Sequence, residues 1–217
     1  MRYSRGPFLP MDGGMFLILV ILAGVAAVPL AGGRLTALAG LRFRRVWTLP
    51  AALAVQVVII SIIPDHLQVL HPALHVATYG LTAWFLIANR RVRGMWVIGV
   101  GGILNVVAIT ANGGVMPASA AALHTAGLHL DTGAAFANSA VVTGAHLAFL
   151  GDVFAVPASW PLANVYSVGD AVIVLGALYG IHRACASVLV APIAARSAGR
   201  NARHAVARGL EAAPRNW

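Results

Sequence analysis

The sequence has a single cysteine, no lysine and few acidic residues. Because Cys185 is alone, an intrachain disulfide framework and a cysteine-based zinc site are both excluded. All 15 basic residues are arginine, against 6 acidic residues, which gives a formal net charge of +9. The arginines stand in short clusters beside apolar stretches, a pattern typical of membrane topology rather than of nucleic-acid binding. The sequence therefore does not predict a nucleic-acid partner.

Charged residues are scarce, at 10% of the chain, whereas hydrophobic residues make up 59%. This composition is not that of an ordinary soluble domain. A helix needs about 20 mostly apolar residues to cross the hydrocarbon core of a bilayer. Five uncharged runs of roughly this length occur, at 14–32, 48–64, 72–89, 94–111 and 167–190. The sequence predicts an all-α membrane protein with five transmembrane helices, a multi-pass protein of the bacterial cytoplasmic membrane.

The arginine clusters lie in alternate connections between these predicted helices. They fall within 34–45, within 90–93 and from residue 183 onward. Because basic residues favour the cytoplasmic side of a membrane, the predicted topology has an outside N-terminus and a cytoplasmic C-terminus. Cys185 is then expected in the cytoplasm, and His182 is expected to contact lipid headgroups.

The predicted organisation has an outer leader, four helices, an outer cap, a fifth helix and a tail. The corresponding ranges are 1–13, 14–111, 112–166, 167–190 and the basic cytoplasmic tail 191–217. Segment 34–46 has leucines at near-helical spacing with arginines on other faces. It predicts an amphipathic helix in the cytoplasmic interface. A secretory signal peptide is the alternative for the first apolar run, and a later start at Met11 or Met15 would make the leader dispensable.

The connection 112–166 contains no arginine or lysine and is too long to be an unstructured loop in a compact domain. Pro117 predicts a short helix that continues to Ala126. Asp131 predicts the cap of a second helix through Ala137. The third segment, 141–150, is apolar but too short to cross a bilayer. We expect these segments to form a helical cap over the outer membrane face.

Polar side chains near membrane depth are costly, and each needs a partner or a purpose. The candidate ligand-binding residues are Gln56, Asn105, Asn112, Asp152 and Asp170. Hydrogen bonding between helices is the alternative for the first two. Asp170 is also expected to cap the fifth helix together with Ser167. The small residues Gly99, Gly101, Gly102, Gly176 and Gly180 predict close helix packing.

Histidines supply weaker candidates for a metal or haem site. His71 and His75 are four residues apart on one helical face, close to His66, and this spacing can present two imidazoles to one metal. No established metal motif accompanies them, so interfacial hydrogen bonding is the other interpretation. A folded cap could also bring its histidines and carboxylates together; these are His124, His129, His146, Asp131 and Asp152. No cofactor and no catalytic residue is predicted.

Several short motifs along the chain resemble those of a known family. They are Gly32-Gly33-Arg34-Leu35, Tyr79-Gly80-Leu81, Asn112-Gly113-Gly114-Val115-Met116-Pro117, Leu150-Gly151-Asp152 and Ser167-Val168-Gly169-Asp170. Together they resemble the bacterial membrane family called domain of unknown function 5317, over about residues 15–184. The resemblance implies the architecture described above and supplies no catalytic residues.

Packing devices are plentiful and catalytic signatures are absent, so the leading hypothesis is a non-catalytic membrane protein. It is expected to act as an accessory subunit of a larger membrane complex, or to bind a lipid or small amphiphile. Its expected partners are membrane lipids. An outer-face enzyme that uses aspartates and histidines of the cap is one alternative. A small transporter lined by Gln56, Asn105 and Asp170 is another.

Overall fold

The computed structural model describes residues 15–62, 70–128 and 139–190. The α-helices are α1 (Met15–Leu30), α2 (Thr48–Ile62), α3 (Leu70–Ala88), α4 (Met95–Ala111), α5 (Ala120–Ala126) and α6 (Val168–Ala184). Short 3-10 helices occur at Leu35–Gly40, Ala148–Leu150 and Val188–Val190. The strands are β1 (Met116–Pro117), β2 (Ser139–Ala140), β3 (Asp152–Val156) and β4 (Asn164–Ser167). The predicted leader and tail lie outside the described residues, as does the helix predicted at 131–137.

The five apolar runs do form helices, and all of these except α3 are shorter than the runs that predicted them. Helices α1, α2, α3, α4 and α6 have 16, 15, 19, 17 and 17 residues. Within the three described ranges, no helix is both long enough and apolar enough to cross a membrane. The predicted fold of five transmembrane helices is therefore wrong, and the orientation that depended on it falls as well.

Local signals fix both ends of α4 and the start of α6. Gly94, in the left-handed region at φ 91°, directly precedes α4, and Gly113 and Gly114 follow its end at φ 70° and 94°. Ser167 starts α6 with a side-chain cap. At about 1.5 Å per residue, the 17 residues of α4 extend about 26 Å, which is short of a hydrocarbon core of about 30 Å. Capping residues at both ends thus fix the length of α4 at 17 residues.

The described part of the cap is mixed α and β, which corrects the prediction of a helical cap in an all-α protein. Strand β1 pairs in parallel with β2, and β3 pairs antiparallel with β4, with Asp152 opposite Ser167. Helix α5 starts only after Ser119, whose hydroxyl accepts from the N–H of Ala122. The missed signal is the β-branched and aromatic composition of 152–156 and 164–167, separated by a proline-containing turn.

Helix α4 packs antiparallel on α6, and this is the most extensive helix pairing in the described structure. Gly94 lies against Gly180 at one end, and Gly101 lies against Gly169 near the other. Helix α2 packs on α3, and α1 packs on α6. The C-terminus of α6 therefore lies at the same end of the bundle as the N-terminus of α4.

This end of the bundle carries all the described arginines, and we call it the arginine end. Its members are Arg34, Arg42, Arg44, Arg45, Arg90, Arg91, Arg93 and Arg183. Backbone contacts join the loops: the N–H of Arg34 donates to the carbonyl of Cys185 at 2.9 Å. The described carboxylates, Asp152 and Asp170, lie at the opposite end. The sequence pattern thus grouped the arginine-bearing segments correctly in space.

Asn89 fixes the segment that was predicted to be an amphipathic helix. Its side-chain amide donates to the carbonyls of Arg44 and Phe85, each at 2.8 Å, and its carbonyl accepts from the N–H of Arg44 at 2.7 Å. Segment 34–46 forms a 3-10 helix over Leu35–Gly40 instead of an α-helix. Asn89 therefore ties the loop before α2 to the end of α3.

Candidate functional site

Asp170 lies in the first turn of α6 and forms a capping box with Ser167. The N–H of Asp170 donates to the Ser167 hydroxyl at 2.9 Å, and the N–H of Ser167 donates to Asp170 Oδ2 at 3.0 Å. These two bonds satisfy N–H groups that the helix itself leaves unpaired. The structure thus contains the predicted helix cap at the start of α6.

Asn105, from the middle of α4, extends this cap into a network between helices. Its amide nitrogen donates to Asp170 Oδ1 at 2.8 Å, and its amide oxygen accepts from the Ser167 hydroxyl at 2.8 Å. Each carboxylate oxygen of Asp170 therefore accepts one hydrogen bond from the protein. The structure brings together two of the five candidate residues, and their contacts are those of a structural junction.

Glycines allow the helices to approach closely enough for this network. A Cβ added at Gly169 would collide with Asn105 Oδ1, and one added at Gly101 would lie 2.6 Å from the carbonyl oxygen of Gly169. Gly99 and Gly102 differ, because an added Cβ would meet nothing within 4 Å. Only Gly101 of these three fits the predicted role in close packing.

Asp152 starts β3 and is a second carboxyl near Asp170. It is 5% exposed, and its Oδ2 accepts from the Ser139 hydroxyl at 2.6 Å. Burial raises the pKa of Asp152 above its usual value, the nearby charge of Asp170 raises it further, and the Ser139 hydrogen bond opposes both effects. The fold therefore favours the protonated form of Asp152 more than water does.

This pKa shift predicts a pH-dependent stability. Because the folded-state pKa lies above the unfolded value of 3.8, the folded chain holds the proton to higher pH than the unfolded chain. The free energy of unfolding should then fall as pH rises from the unfolded pKa through the folded pKa, and level off above it. The variant D152N, which cannot ionise there, should lack this decrease.

Thermal melts of the wild type and D152N, compared between about pH 4 and pH 8, measure this effect. We expect the wild type to lose stability relative to D152N with rising pH. A difference between the two proteins that is constant across the range would contradict the placement of Asp152 in a desolvated environment.

An apolar cleft lies between α3 and α4, and we call it the α3–α4 cleft. Its volume is about 350 Å³, and its lining is almost entirely apolar. The lining includes Tyr79, Ala83, Leu86, Gly99, Gly102 and Ile103. Burial raises the pKa of Tyr79, and the charge of Asp170 raises it further. The cleft therefore runs from the vicinity of the Asp170 network toward the arginine end.

Asn112 has a structural role in the described contacts. Its amide nitrogen donates to the carbonyl oxygens of Ala108 at 2.7 Å and His146 at 2.8 Å, and its oxygen accepts from the N–H of His146 at 2.9 Å. It therefore attaches the segment before β3 to the end of α4. The side chain of Gln56 lies outside the described residues.

The histidine predictions find little support where the structure can address them. His124 and His146 are exposed, and no group of three possible metal-ligating side chains occurs in the described part of the chain. The side chains of His66, His71 and His75, together with His129 and Asp131, lie outside it. The metal or haem hypothesis for those residues stays a prediction.

The expectation for His182 is wrong. His182 is 6% exposed, so its side chain does not face a headgroup region. Cys185 is fully buried, and its expected cytoplasmic location stays a prediction. The chain turns back after α6, with the N–H of Val188 donating to the carbonyl of Ala31 at 3.0 Å. Because burial also raises the pKa of Cys185, this thiol is poorly reactive.

A sequence comparison shows the relationship that the motifs suggested. The profile of a family of unknown function, DUF5317, matches residues 40–182. The chain belongs to this family. The match contains α2 to α5 and most of α6, and hence the whole described cap, the Asp170 network and the α3–α4 cleft. Helix α1 precedes it, so the matched region is shorter than the 15–184 expected from the motifs. No curated protein and no solved structure matches the chain.

Several contributors to these sites were missed. Ser139 carried no motif, and its partnership with Asp152 depends on the pairing of β1, β2 and β3. Asn89 lies just after an apolar run, and its position resembles that of Asn112. Each side-chain amide binds the backbone of a distant loop through both its nitrogen and its oxygen. An asparagine at the end of a helix was the available signal in both cases.

Proposed function

We propose that this protein is a non-catalytic binder of a lipid or small amphiphile at the bacterial membrane. The observation that carries the proposal is the α3–α4 cleft, with about 350 Å³ and an apolar lining. Ligand pockets in proteins are commonly about 300–1,000 Å³ and mainly apolar. The cleft therefore suits the hydrocarbon part of a small amphiphile.

The surface around the cleft supports an apolar partner. Ile87, Val100 and Ile103 are 59%, 50% and 63% exposed, on the same two helices that form the cleft. Contiguous exposed apolar surface marks sites of contact with proteins, membranes or ligands. A lipid would cover both the cleft and its rim.

The carboxylates support a structural rather than catalytic role. Asp170 accepts a hydrogen bond on each oxygen, from the Asn105 amide and from the N–H of Ser167, so protein groups hold its carboxylate in place. The network therefore stabilises the start of α6 and the α4–α6 contact beside the cleft.

Filling the cleft tests this function. Gly102 lines it, and a Cβ added there meets nothing within 4 Å, so Gly102→Leu should occupy the cleft without disturbing α6. We expect binding of a short-chain phosphatidylcholine to weaken by about tenfold or more, which corresponds to about 1.4 kcal/mol. Native mass spectrometry of the full chain released from detergent measures the bound lipid.

Gly40→Leu is the matched control, because an added Cβ at Gly40 also meets nothing within 4 Å and Gly40 is not one of the residues that line the cleft. This variant should bind like the wild type. Absence of bound lipid in the wild type, or equal binding by all three proteins, would reject the cleft as the binding site.

A further inference from the structure

We propose that the arginine end binds the anionic headgroup of a phospholipid whose acyl chain lies in the α3–α4 cleft. This inference rests on the proposed function and names the chemical class of the lipid. It depends on a juxtaposition that only the fold creates: two arginine-bearing loops, 42–47 and 89–93, meet beside the mouth of an apolar cleft.

The Asn89 amide brings the two loops together. It binds both the N–H and the carbonyl of Arg44, and it directly precedes Arg90 and Arg91 in the chain. The side chains of Arg90, Arg91 and Arg93 are exposed. No hydrogen bond or ion pair engages these three guanidinium groups among the described residues, so they are available to an external anion.

Among the described residues, no carboxylate lies at the arginine end. Asp152 and Asp170 lie at the opposite end of the α4–α6 pair, where they bond to Ser139 and Asn105. An anion at the arginine end would therefore meet several unpaired guanidinium groups, which bind phosphate by charge-assisted hydrogen bonds. Helix α4 also begins here without a side-chain cap, which further favours an anion.

The distance between the cleft and the arginines suits one amphiphile. Leu86 and Gly99 line the cleft, and Arg90 and Arg93 lie on the connection between them. Helix α3 ends at Ala88, two residues and about 3 Å of helix beyond Leu86, and Arg90 follows in the loop. A headgroup at the arginines therefore leaves its acyl chain free to enter the cleft at Leu86.

Tryptophans at the same end indicate a lipid rather than a soluble anion. Trp47, Trp84 and Trp96 are 52%, 43% and 70% exposed. Trp47 packs edge-on against Trp84 at 5.4 Å between centroids, and the Arg45 guanidinium lies 5.3 Å from a Trp84 ring centroid. Exposed tryptophan beside arginine is typical of the headgroup level of a bilayer.

The test compares phosphatidylglycerol with phosphatidylcholine that has the same acyl chains, since the two lipids then differ in headgroup charge. Native mass spectrometry of the full chain gives the dissociation constant of each lipid. One arginine near an anionic headgroup contributes roughly fivefold in affinity, so three contribute on the order of a hundredfold. We expect the wild type to prefer phosphatidylglycerol, and R90Q/R91Q/R93Q to lose about tenfold or more of that preference.

The control R200Q/R203Q/R208Q removes the same charge from a segment outside the described residues, and it should keep the preference. The variant R90K/R91K/R93K retains the charge and should retain most of the preference, which shows that the loop is intact. Equal losses in both glutamine triples would mean that net charge alone sets the preference, and would overturn the site. Full competition by glycerol phosphate, which has no acyl chain, would overturn the lipid assignment.

The outcomes distinguish a failure of the headgroup site from a failure of the proposed lipid-binding function. Equal wild-type affinity for both lipids, with sensitivity to Gly102→Leu, would reject the headgroup site and keep the cleft as an amphiphile site. No binding of either lipid would reject the proposed function itself.

Discussion

Gly101→Ala is expected to lower the free energy of unfolding by about 1–3 kcal/mol, the usual cost of overpacking a tight contact. The new Cβ would lie 2.6 Å from the carbonyl oxygen of Gly169 and 2.8 Å from the backbone nitrogen of Ile173. Because both neighbours belong to the α6 backbone, the helices must separate to accept it. Separation would also lengthen the hydrogen bonds between Asn105 and the start of α6.

Gly99→Ala and Gly102→Ala are the matched controls on the same helix. An added Cβ meets nothing within 4 Å at either position, and alanine is favoured over glycine in a helix by about 0.5–1 kcal/mol. Both variants should therefore be slightly more stable than the wild type. Thermal and denaturant melts under one solvent condition measure all three, and similar effects at the three positions would contradict the α4–α6 packing.

Asp170→Ala is expected to cost about 2–4 kcal/mol, because it removes the carboxylate's bond from the Ser167 N–H and its charge-assisted bond from Asn105. The sequence alone predicts that Asp170→Asn is mild, since asparagine also caps helices. The structure changes this expectation. The two carboxylate oxygens accept from different donors, Asn105 and Ser167, whereas an amide has a single oxygen. Asp170→Asn should therefore lose one of the two bonds, and with it about half of the stabilisation that the carboxylate provides.

A double-mutant cycle with Asn105→Ala measures this network directly. Because the two side chains are bonded to each other and to Ser167, the combined variant should lose less than the sum of the single losses, with a coupling of about 0.5–3 kcal/mol. Additive losses in denaturant melts would mean that the residues act independently. An unchanged stability in Asp170→Ala would remove the capping role as well.

Much of the helical structure was predictable because its signals are local. The apolar runs located α1, α2, α3, α4 and α6, and Ser167 with Asp170 three residues later predicted the cap of α6. The same runs led to the wrong fold class. They were interpreted as membrane spans, and the strands at 152–156 and 164–167 were hidden within a segment interpreted as helical.

The candidate sites show the same division. Asn105 and Asp170 were selected as costly polar residues, but their partnership joins positions 65 residues apart. Among Gly99, Gly101 and Gly102, only the packing of α6 decides which glycine lies in the contact and which line the cleft. Asp152 was selected for its position after a glycine, and its hydrogen-bond partner Ser139 lies in a different two-stranded sheet.

The sequence by itself determined where helices form, how α6 begins and which segments carry the arginines, because helix periodicity, capping and charge clustering act among residues close together in the chain. The tertiary structure alone decided which arginine loops meet, since the Asn89 amide binds Arg44 across 45 residues. It also decided that a cleft opens between α3 and α4 and that the α4–α6 contact is closed. These features depend on the distance between helix backbones, which is set by side chains from both helices packed at once.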